Sequence, residues 1–275
     1  MAKDPEIVEN YIMKILFIGD VVAKLGRETV GKILPDLLSK HDVDLVIANA
    51  ENSAHGKGTT VDVLKELQGY GVKYFTGGNH IFWQKSLLDH LDDLPLVRPA
   101  NYINAPGKGH DVVDLGANGQ VLIINLVGMA FMQGTTTLNP FIYIDNILDS
   151  VNPDHYKAII VDFHAEASSE KVLMGHYLDG RVTAVLGTHW HVPTADNRVL
   201  EAGTAYISDV GMVGAENESL GVDKKIAFER LKSPIPQKSE WVEEGQAVFN
   251  SVLIETENVG MKAKNITRVD FWDIL

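Results

Sequence analysis

Five short apolar runs, each breaking off into residues able to bind a metal ion, constrain this chain more than any other feature of it. Lys14–Ile18 ends in Gly19-Asp20, and 44–48 ends in Asn49-Ala50-Glu51-Asn52. The run 72–75 ends in Thr76-Gly77-Gly78-Asn79-His80, and 158–161 ends in Asp162-Phe163-His164-Ala165-Glu166. The run 182–186 leads into Gly187-Thr188-His189-Trp190-His191. All are rich in Val, Ile, Leu or Phe, have the length of buried parallel strands, and alternate with sequence of helical spacing. In open α/β sheets, sites form beyond the carboxyl ends of the strands. Five ends bearing Asp, Glu, Asn and His are therefore expected to converge on one crevice. Taken singly, Asp20 reads better as a helix cap or a turn residue; the whole set does not. At the fifth end, strand-like alternation would turn His189 and His191 to the same side, so that both imidazoles reach one point.

With 275 residues the chain can bury a sizeable core without staples. It has no cysteine, which excludes disulfides, thiolate-held zinc and a cysteine nucleophile, and leaves nitrogen and oxygen as the ligands of any metal. Residues 1–11 carry acids and lack a long apolar core, so they do not read as a signal peptide. We read 1–12 as an N-terminal extension, with Met13 as the natural start, and 13–275 as a single domain. No window approaches a membrane span, and a cytoplasmic location is expected. The net charge of −13 argues against a broad footprint on long nucleic acid, but not against a small phosphate ester. A homo-oligomer is left open.

Helices are expected over 26–40, with a kink or late start at Pro35, over 60–70, and from near Lys85. This βαβαβα texture predicts a parallel sheet. Asn118-Gly119 between 111–115 and 120–126 signals a hairpin, which makes the sheet mixed. Residues 128–139 read as a loop or lid, 142–151 as a helix, and 168–178 as a helix capped by Ser168 or Ser169 with Gly180 past its end. From Thr204 the pattern looks antiparallel, with strands at 204–208, 246–255 and 262–271.

Carboxylates with imidazoles suit Mn, Fe or Zn, and a carboxylate such as Glu51 can bridge two ions. A metal pair roughly 3.5–4 Å apart binds a phosphate ester together with the water that attacks it. The leaving oxygen then needs a proton, which a nearby histidine can supply. Phosphoester hydrolysis is the chemistry that fits.

At this point the chain resembles the calcineurin-like metallophosphoesterases, and more closely their YmdB-like branch of 2′,3′-cyclic-nucleotide 2′-phosphodiesterases. The resemblance rests on Ile-Gly-Asp-Val-Val with Gly26-Arg27, Ala-Glu-Asn-Ser-Ala-His-Gly-Lys-Gly at 50–58, Gly-Gly-Asn-His at 77–80 and Val-Arg-Pro-Ala-Asn at 97–101. It continues in Asp-Phe-His-Ala-Glu at 162–166, Gly-Thr-His-Trp-His at 187–191, Thr-Ala-Asp-Asn-Arg at 194–198 and Ser-Asp-Val-Gly-Met at 208–212. The wider superfamily usually has Asp-x-His after its first strand and Asp at the bridging position. Asp20-Val21-Val22 and Glu51 depart from that in the way the YmdB-like branch does.

The resemblance implies an α/β fold, a sandwich of mixed β-sheets flanked by α-helices. It implies that Asp20, Glu51, Asn52 and His191 hold one metal, and that Glu51 bridges to a second completed by Asn79, His164 and His189. His80 is implied as the proton donor. Two divalent or mixed-valence ions, Fe or Mn with Zn as the alternative, and a small phosphodiester or 2′,3′-cyclic nucleotide follow as cofactors and substrate. The same metal pair would also serve a phosphomonoesterase, a nuclease acting on RNA ends, or a regulatory protein that the metals merely stabilise.

Asp162, Glu166, Asp196 and Asp209 read either as acceptors that orient imidazoles or as solvated carboxylates. His55-Gly56-Lys57-Gly58 lacks the spacing of a nucleotide P-loop but offers a phosphate contact. Trp83, Trp190, Tyr102 and Phe131 read as packing aromatics or as stacking surfaces for a base. His41, His90, His110, His155 and His176 fall on expected helices or loops away from the strand ends.

Overall fold

A computed structural model describes residues 11–132, 137–235, 238 and 240–275. Most of the expected N-terminal extension and part of the 128–139 loop therefore lie outside the described residues. Along the chain, β1 (Lys14–Ile18) is separated by Gly19 from β2 (Asp20–Val21), followed by α1 (Ala23–His41) and β3 (Leu45–Asn49). Then come α2 (Val61–Gly69), β4 (Tyr74–Thr76), β5 (Leu96–Val97), β6 (His110–Asp114) and β7 (Gln120–Val127). The middle of the chain gives α3 (Pro140–Ser150), β8 (Ala158–His164), α4 (Ser168–Tyr177) and β9 (Ala184–Thr188). It closes with β10 (Arg198–Val199), β11 (Ala205–Ile207), β12 (Met212–Ala215), α5 (Lys224–Lys232), β13 (Ala247–Phe249), β14 (Ser251–Thr256), β15 (Ala263–Arg268) and β16 (Phe271–Ile274).

The strands form a sheet β15-β14-β1-β3-β4-β5, a second sheet β10-β11-β9-β8-β7-β6, and a small third sheet β16-β13-β12-β2. The first two pack face to face. Alternate residues of each strand point to opposite faces: Ile15 and Phe17 of β1 meet Val121, Ile123, Ile160 and Leu186 of the second sheet. Their neighbours Leu16 and Ile18 pack instead on Val30, Leu34 and Leu37 of α1 and Leu64 and Leu67 of α2. On the far side, Ile159, Val161 and Phe163 of β8 are covered by Ile144 and Ile147 of α3 and Met174 of α4. Four layers result, helices outside and two sheets inside, which is the mixed sandwich with flanking helices expected above.

The five apolar runs are thus divided between two sheets, β1, β3 and β4 in one and β8 and β9 in the other, rather than sharing one. A strand buried on both faces is apolar throughout, whether its neighbours are helices or another sheet, so periodicity could not separate the two cases. The 204–208 strand corrects the antiparallel expectation: β11 runs parallel to β9 and antiparallel only to β10. The 246–255 and 262–271 segments each divide between the first and third sheets. The chain changes sheet at Gly19 and at Asn250, where the Gly19 N–H donates to the Asn250 carbonyl (3.1 Å). That change turns Asp20 away from the line of β1.

Smaller departures are local. α1 begins at Ala23 and runs through Pro35, and the segment after Gln84 is a 3-10 helix over Lys85–His90. The β6–β7 connection is a five-residue loop containing a 3-10 turn over Gly116–Asn118, not a two-residue turn. The N-cap residue of α4 is Ala167, without a side-chain bond, whereas α2 starts at Thr60 with its hydroxyl accepting from Val63 N–H. Such a cap contributes about 1 kcal/mol. His110 lies on β6, not on a helix or loop. Within 128–139 the described backbone is tied down: the amides of Met129 and Ala130 donate to Glu170, and that of Leu138 to the Asn101 carbonyl.

Candidate metal centre

The carboxyl ends of β1, β3, β4, β8 and β9 meet at one edge of the sandwich and bring all seven expected ligands and His80 together. Buried polar groups need partners, and the partners here are mostly one another. His164 Nε2 lies 3.0 Å from Asn79 Oδ1, 3.0 Å from His189 Nδ1 and 3.2 Å from Glu51 Oε1. Donors held at about 2.1 Å from a first-row ion, at right angles to one another, stand roughly 3 Å apart. The spacing of this group is that of a coordination shell.

The second group shares Glu51. Asn52 Nδ2 is 3.0 Å from Glu51 Oε1 and 3.1 Å from His191 Nε2, which stands 3.8 Å from Asp20 Oδ1. Asp20 and Glu51 are fully buried. Asp20 Oδ2 accepts from the His189 N–H (3.2 Å), but Oδ1 has no hydrogen-bond partner among the described residues. An orphaned buried carboxylate oxygen beside an imidazole nitrogen fits a cation. Asn52 as placed turns its nitrogen toward Glu51 and His191 and its oxygen toward His80, so ligation through oxygen on that side needs a half-turn of the amide.

Burial dominates the electrostatics. It pushes the Asp20 carboxyl well above its usual range; the charge of His164 opposes this, and Glu51 and Asp209 add to it. Burial would raise Glu51 too, yet the His164 charge and the bonds from His164 and His80 hold it well below the carboxylate range. His164, which burial alone would lower, is lifted to about 9 by Glu51 and Asp20. Burial and the His164 charge push His189 down to about 3. The cluster thus balances two buried acids against imidazolium.

Each imidazole is oriented from behind. Thr188 Oγ1 donates to Asp162 Oδ1 (2.7 Å), so it accepts from His164 Nδ1 (2.9 Å) and leaves His164 Nε2 facing the centre. Asp162, fully buried, also accepts from Thr76 Oγ1 and Asn49 Nδ2, which ties the ends of β3, β4, β8 and β9 into one network. His189 Nε2 meets Glu166 (3.0 Å), leaving Nδ1 inward. His191 Nδ1 meets the Leu220 carbonyl (3.2 Å), leaving Nε2 inward.

Strand alternation is not what brings His189 and His191 to the site. Both lie beyond β9 with positive φ, 104° and 63°, and they face two different groups rather than one point. Lys171 and Asp209 hold this turn. Lys171 Nζ donates to Asp209 (2.6 Å) and to the Thr188 carbonyl (2.7 Å), and lies 3.8 Å over the Trp190 ring. Asp209 accepts in turn from the Trp190 N–H (3.0 Å). Of the four acids left open above, Asp162 and Asp209 are wholly buried and bonded and Glu166 pairs with His189. Asp196 bonds Thr194 and Ser208 instead of any ligand candidate.

His80 stands beside both groups. Its N–H donates to Glu51 Oε2 (3.0 Å), and its Nδ1 lies 2.9 Å from Asn52 Oδ1. The ring borders a cleft of about 590 Å³ lined also by Lys57, Trp190, Arg230 and Trp241. Sequence reasoning missed Lys171, Thr188, Arg230 and Trp241. Thr188 sits inside the Gly-Thr-His-Trp-His motif and was findable; the others come from distant segments without a local signal. Of the other aromatics considered, Trp83 is exposed and meets the His80 ring edge-on, Phe131 is exposed, and the Tyr102 hydroxyl is buried.

Comparison with known proteins gives a consistent assignment. Residues 16–269 match the family described as YmdB-like protein. A 2′,3′-cyclic-nucleotide 2′-phosphodiesterase of Bacillus subtilis (strain 168) is 43% identical over 261 residues, covering 94% of this chain and 96% of that protein. The crystal structure of a novel phosphatase from Mycoplasma pneumoniae matches with a TM-score of 0.90 at 34% identity, over 96% of this chain and 94% of that one. A 5′-nucleotidase precursor from Thermus thermophilus, at 12% identity and TM-score 0.53, covers 96% of this chain and 55% of its own length, and shares the fold alone. The chain has the metallophosphoesterase fold and belongs to the YmdB-like family.

Proposed function

We propose that this protein is a metal-dependent phosphodiesterase that opens small 2′,3′-cyclic nucleotides to 3′-nucleotides, with residues 13–275 acting as one domain. The observation that carries the reading is the packing of donors from Glu51, Asn79, His164 and His189 at coordination spacing, with His80 bonded to the same glutamate. The B. subtilis relative bears the name of this activity. In this reading Asp20, Glu51, Asn52 and His191 hold one ion, and Glu51, Asn79, His164 and His189 the other. An all-nitrogen-and-oxygen set suits Fe or Mn, and Zn as well. The bound pair would polarise the phosphate and supply an activated water.

The chain's own residues do the rest. Water forms a bond to phosphorus and gives up one proton to solvent, the bond to O2′ breaks, and O2′ takes the proton that His80 carries, which solvent then restores. The Nδ1 edge of His80 faces the Asn52 amide, with Glu51 Oε1 at 3.3 Å, so Nε2 is the nitrogen free to deliver it. Glu51 and Asn52 set the angle of that ring, and its position on the cleft wall gives it access to substrate.

His80→Ala tests the assignment. Loss of a general acid lowers kcat about 10²–10⁴-fold, and metal content by elemental analysis should stay normal. A variant that loses its metals instead contradicts the role. Assays of cyclic nucleotides, monoesters and short oligonucleotides side by side decide the substrate class, and no turnover of any of them by metal-loaded protein overturns the proposal.

A further inference from the structure

The cleft over the centre carries cations that the reaction described above does not use. Lys57 and Arg230 both line it. Lys57 is presented by a built loop: Gly56 has φ 75°, and a Cβ there would fall 2.0 Å from the Trp241 ring. Gln84 Nε2 donates to the Lys57 carbonyl (2.8 Å) and fixes the other side. The ammonium stands 4.6 Å over the centre of the Trp83 ring, the same ring that His80 meets at 6.1 Å. Among the described residues no carboxylate pairs with Lys57, although the chain carries a net charge of −13. The two acids of the cleft wall are already engaged, Glu51 by His164 and His80 and Glu166 by His189.

A cyclic phosphodiester carries one negative charge, which the metal centre and its imidazoles suffice to meet. Lys57 is surplus to that charge, lines the same cleft as Glu51 and His80, and rests on the exposed ring of Trp83. We infer that Lys57 binds the 5′-phosphate of the nucleotide whose cyclic ester is being opened, so that the enzyme prefers 2′,3′-cyclic nucleotides phosphorylated on the 5′ side. This inference rests on the proposed function.

The test compares adenosine 2′,3′-cyclic phosphate with and without a 5′-phosphate, using wild type, Lys57→Ala and Lys57→Arg. The ratio of kcat/KM for the 5′-phosphorylated over the 5′-hydroxyl substrate should fall about tenfold in Lys57→Ala, the scale of one charge-assisted contact, through KM rather than kcat. Lys57→Arg should restore most of it. Equal losses on both substrates would assign Lys57 to the reacting phosphate or to the fold and overturn the inference.

Calorimetric binding of adenosine 3′,5′-bisphosphate against adenosine 3′-phosphate, with Mn²⁺ present, reads the same preference without turnover. A Lys57→Ala loss confined to the bisphosphate supports the inference; equal effects, or binding of neither, refute it. Absence of hydrolysis with a preserved binding preference would sink the proposed reaction and leave the subsite standing.

Discussion

A buried carboxylate oxygen without a hydrogen bond costs about 1–3 kcal/mol, and Asp20 Oδ1 is such an atom at the bottom of the cluster. The protein tolerates it beside Glu51, a second wholly buried acid, and that pairing is unfavourable unless cations are meant to sit between them. Glu51 is the shared member of both groups, so Glu51→Gln should leave both ion positions empty or misoccupied. Elemental analysis returning normal metal content would contradict the bridging role. Gly78 is constrained as strictly: a Cβ there would lie 2.1 Å from Glu51 Oε2 and 2.6 Å from His164 Nε2. Gly78→Ala should therefore cost metal as well as activity, with the far-ultraviolet circular dichroism unchanged. At this scale the sequence was legible because candidate ligands are recognised by type, and Asp, Glu, Asn and His stood together at strand ends. Lys171 was not legible, since a buried lysine and a surface lysine of a helix look the same in sequence.

In the proposed reading, the turn after β9 is the element on which both ion positions depend, because it would supply His189 to one and His191 to the other. Positive φ at two non-glycine residues in so short a turn is strained, and the Lys171–Asp209 pair with the Trp190 ring holds it in place. Removing one member of a buried ion pair costs about 3–5 kcal/mol, so Lys171→Met should lower the melting temperature and weaken retention of both ions, read by thermal denaturation and elemental analysis. Of the imidazoles, Thr188→Val acts on His164 alone. It removes the hydroxyl that links His164 to Asp162 and should weaken metal retention by about 10–100-fold in a chelator competition, with Thr188→Ser recovering most of it. The alternation argument named two histidines that do reach the cluster, but not by alternation: both lie past the end of the strand, where φ is set by contacts with α4 and the 209–211 segment rather than by pleat.

For the whole molecule, metal and fold stability are linked. A ligand present at a thousand times its dissociation constant adds about 4 kcal/mol, so metal loading should raise the melting temperature on the order of 10 °C. The dependence on pH follows from His164. Its value of about 9 without metal means that a proton occupies it at neutral pH and must leave when the ion binds, so the metal-induced rise should be larger at pH 8 than at pH 6. Without metal the sign reverses. A raised imidazole contributes stability that is complete below its ordinary 6.5 and is lost as pH rises through about 9. Scanning calorimetry of chelated and loaded protein at both pH values checks the two trends.

By itself the sequence determined that β-α units would carry Asp20, Glu51, Asn52, Asn79, His80, His164, His189 and His191 at strand ends, because strand length, burial and ligand chemistry are local properties of the chain. The tertiary structure decided that these strands lie in two facing sheets, that Gly19 and Asn250 mark a change of sheet, and that Asp162, Lys171 and Leu220 sit behind the imidazoles. Each of those rests on contact between residues far apart in the chain, and a two-faced apolar strand reads the same whichever layer covers it.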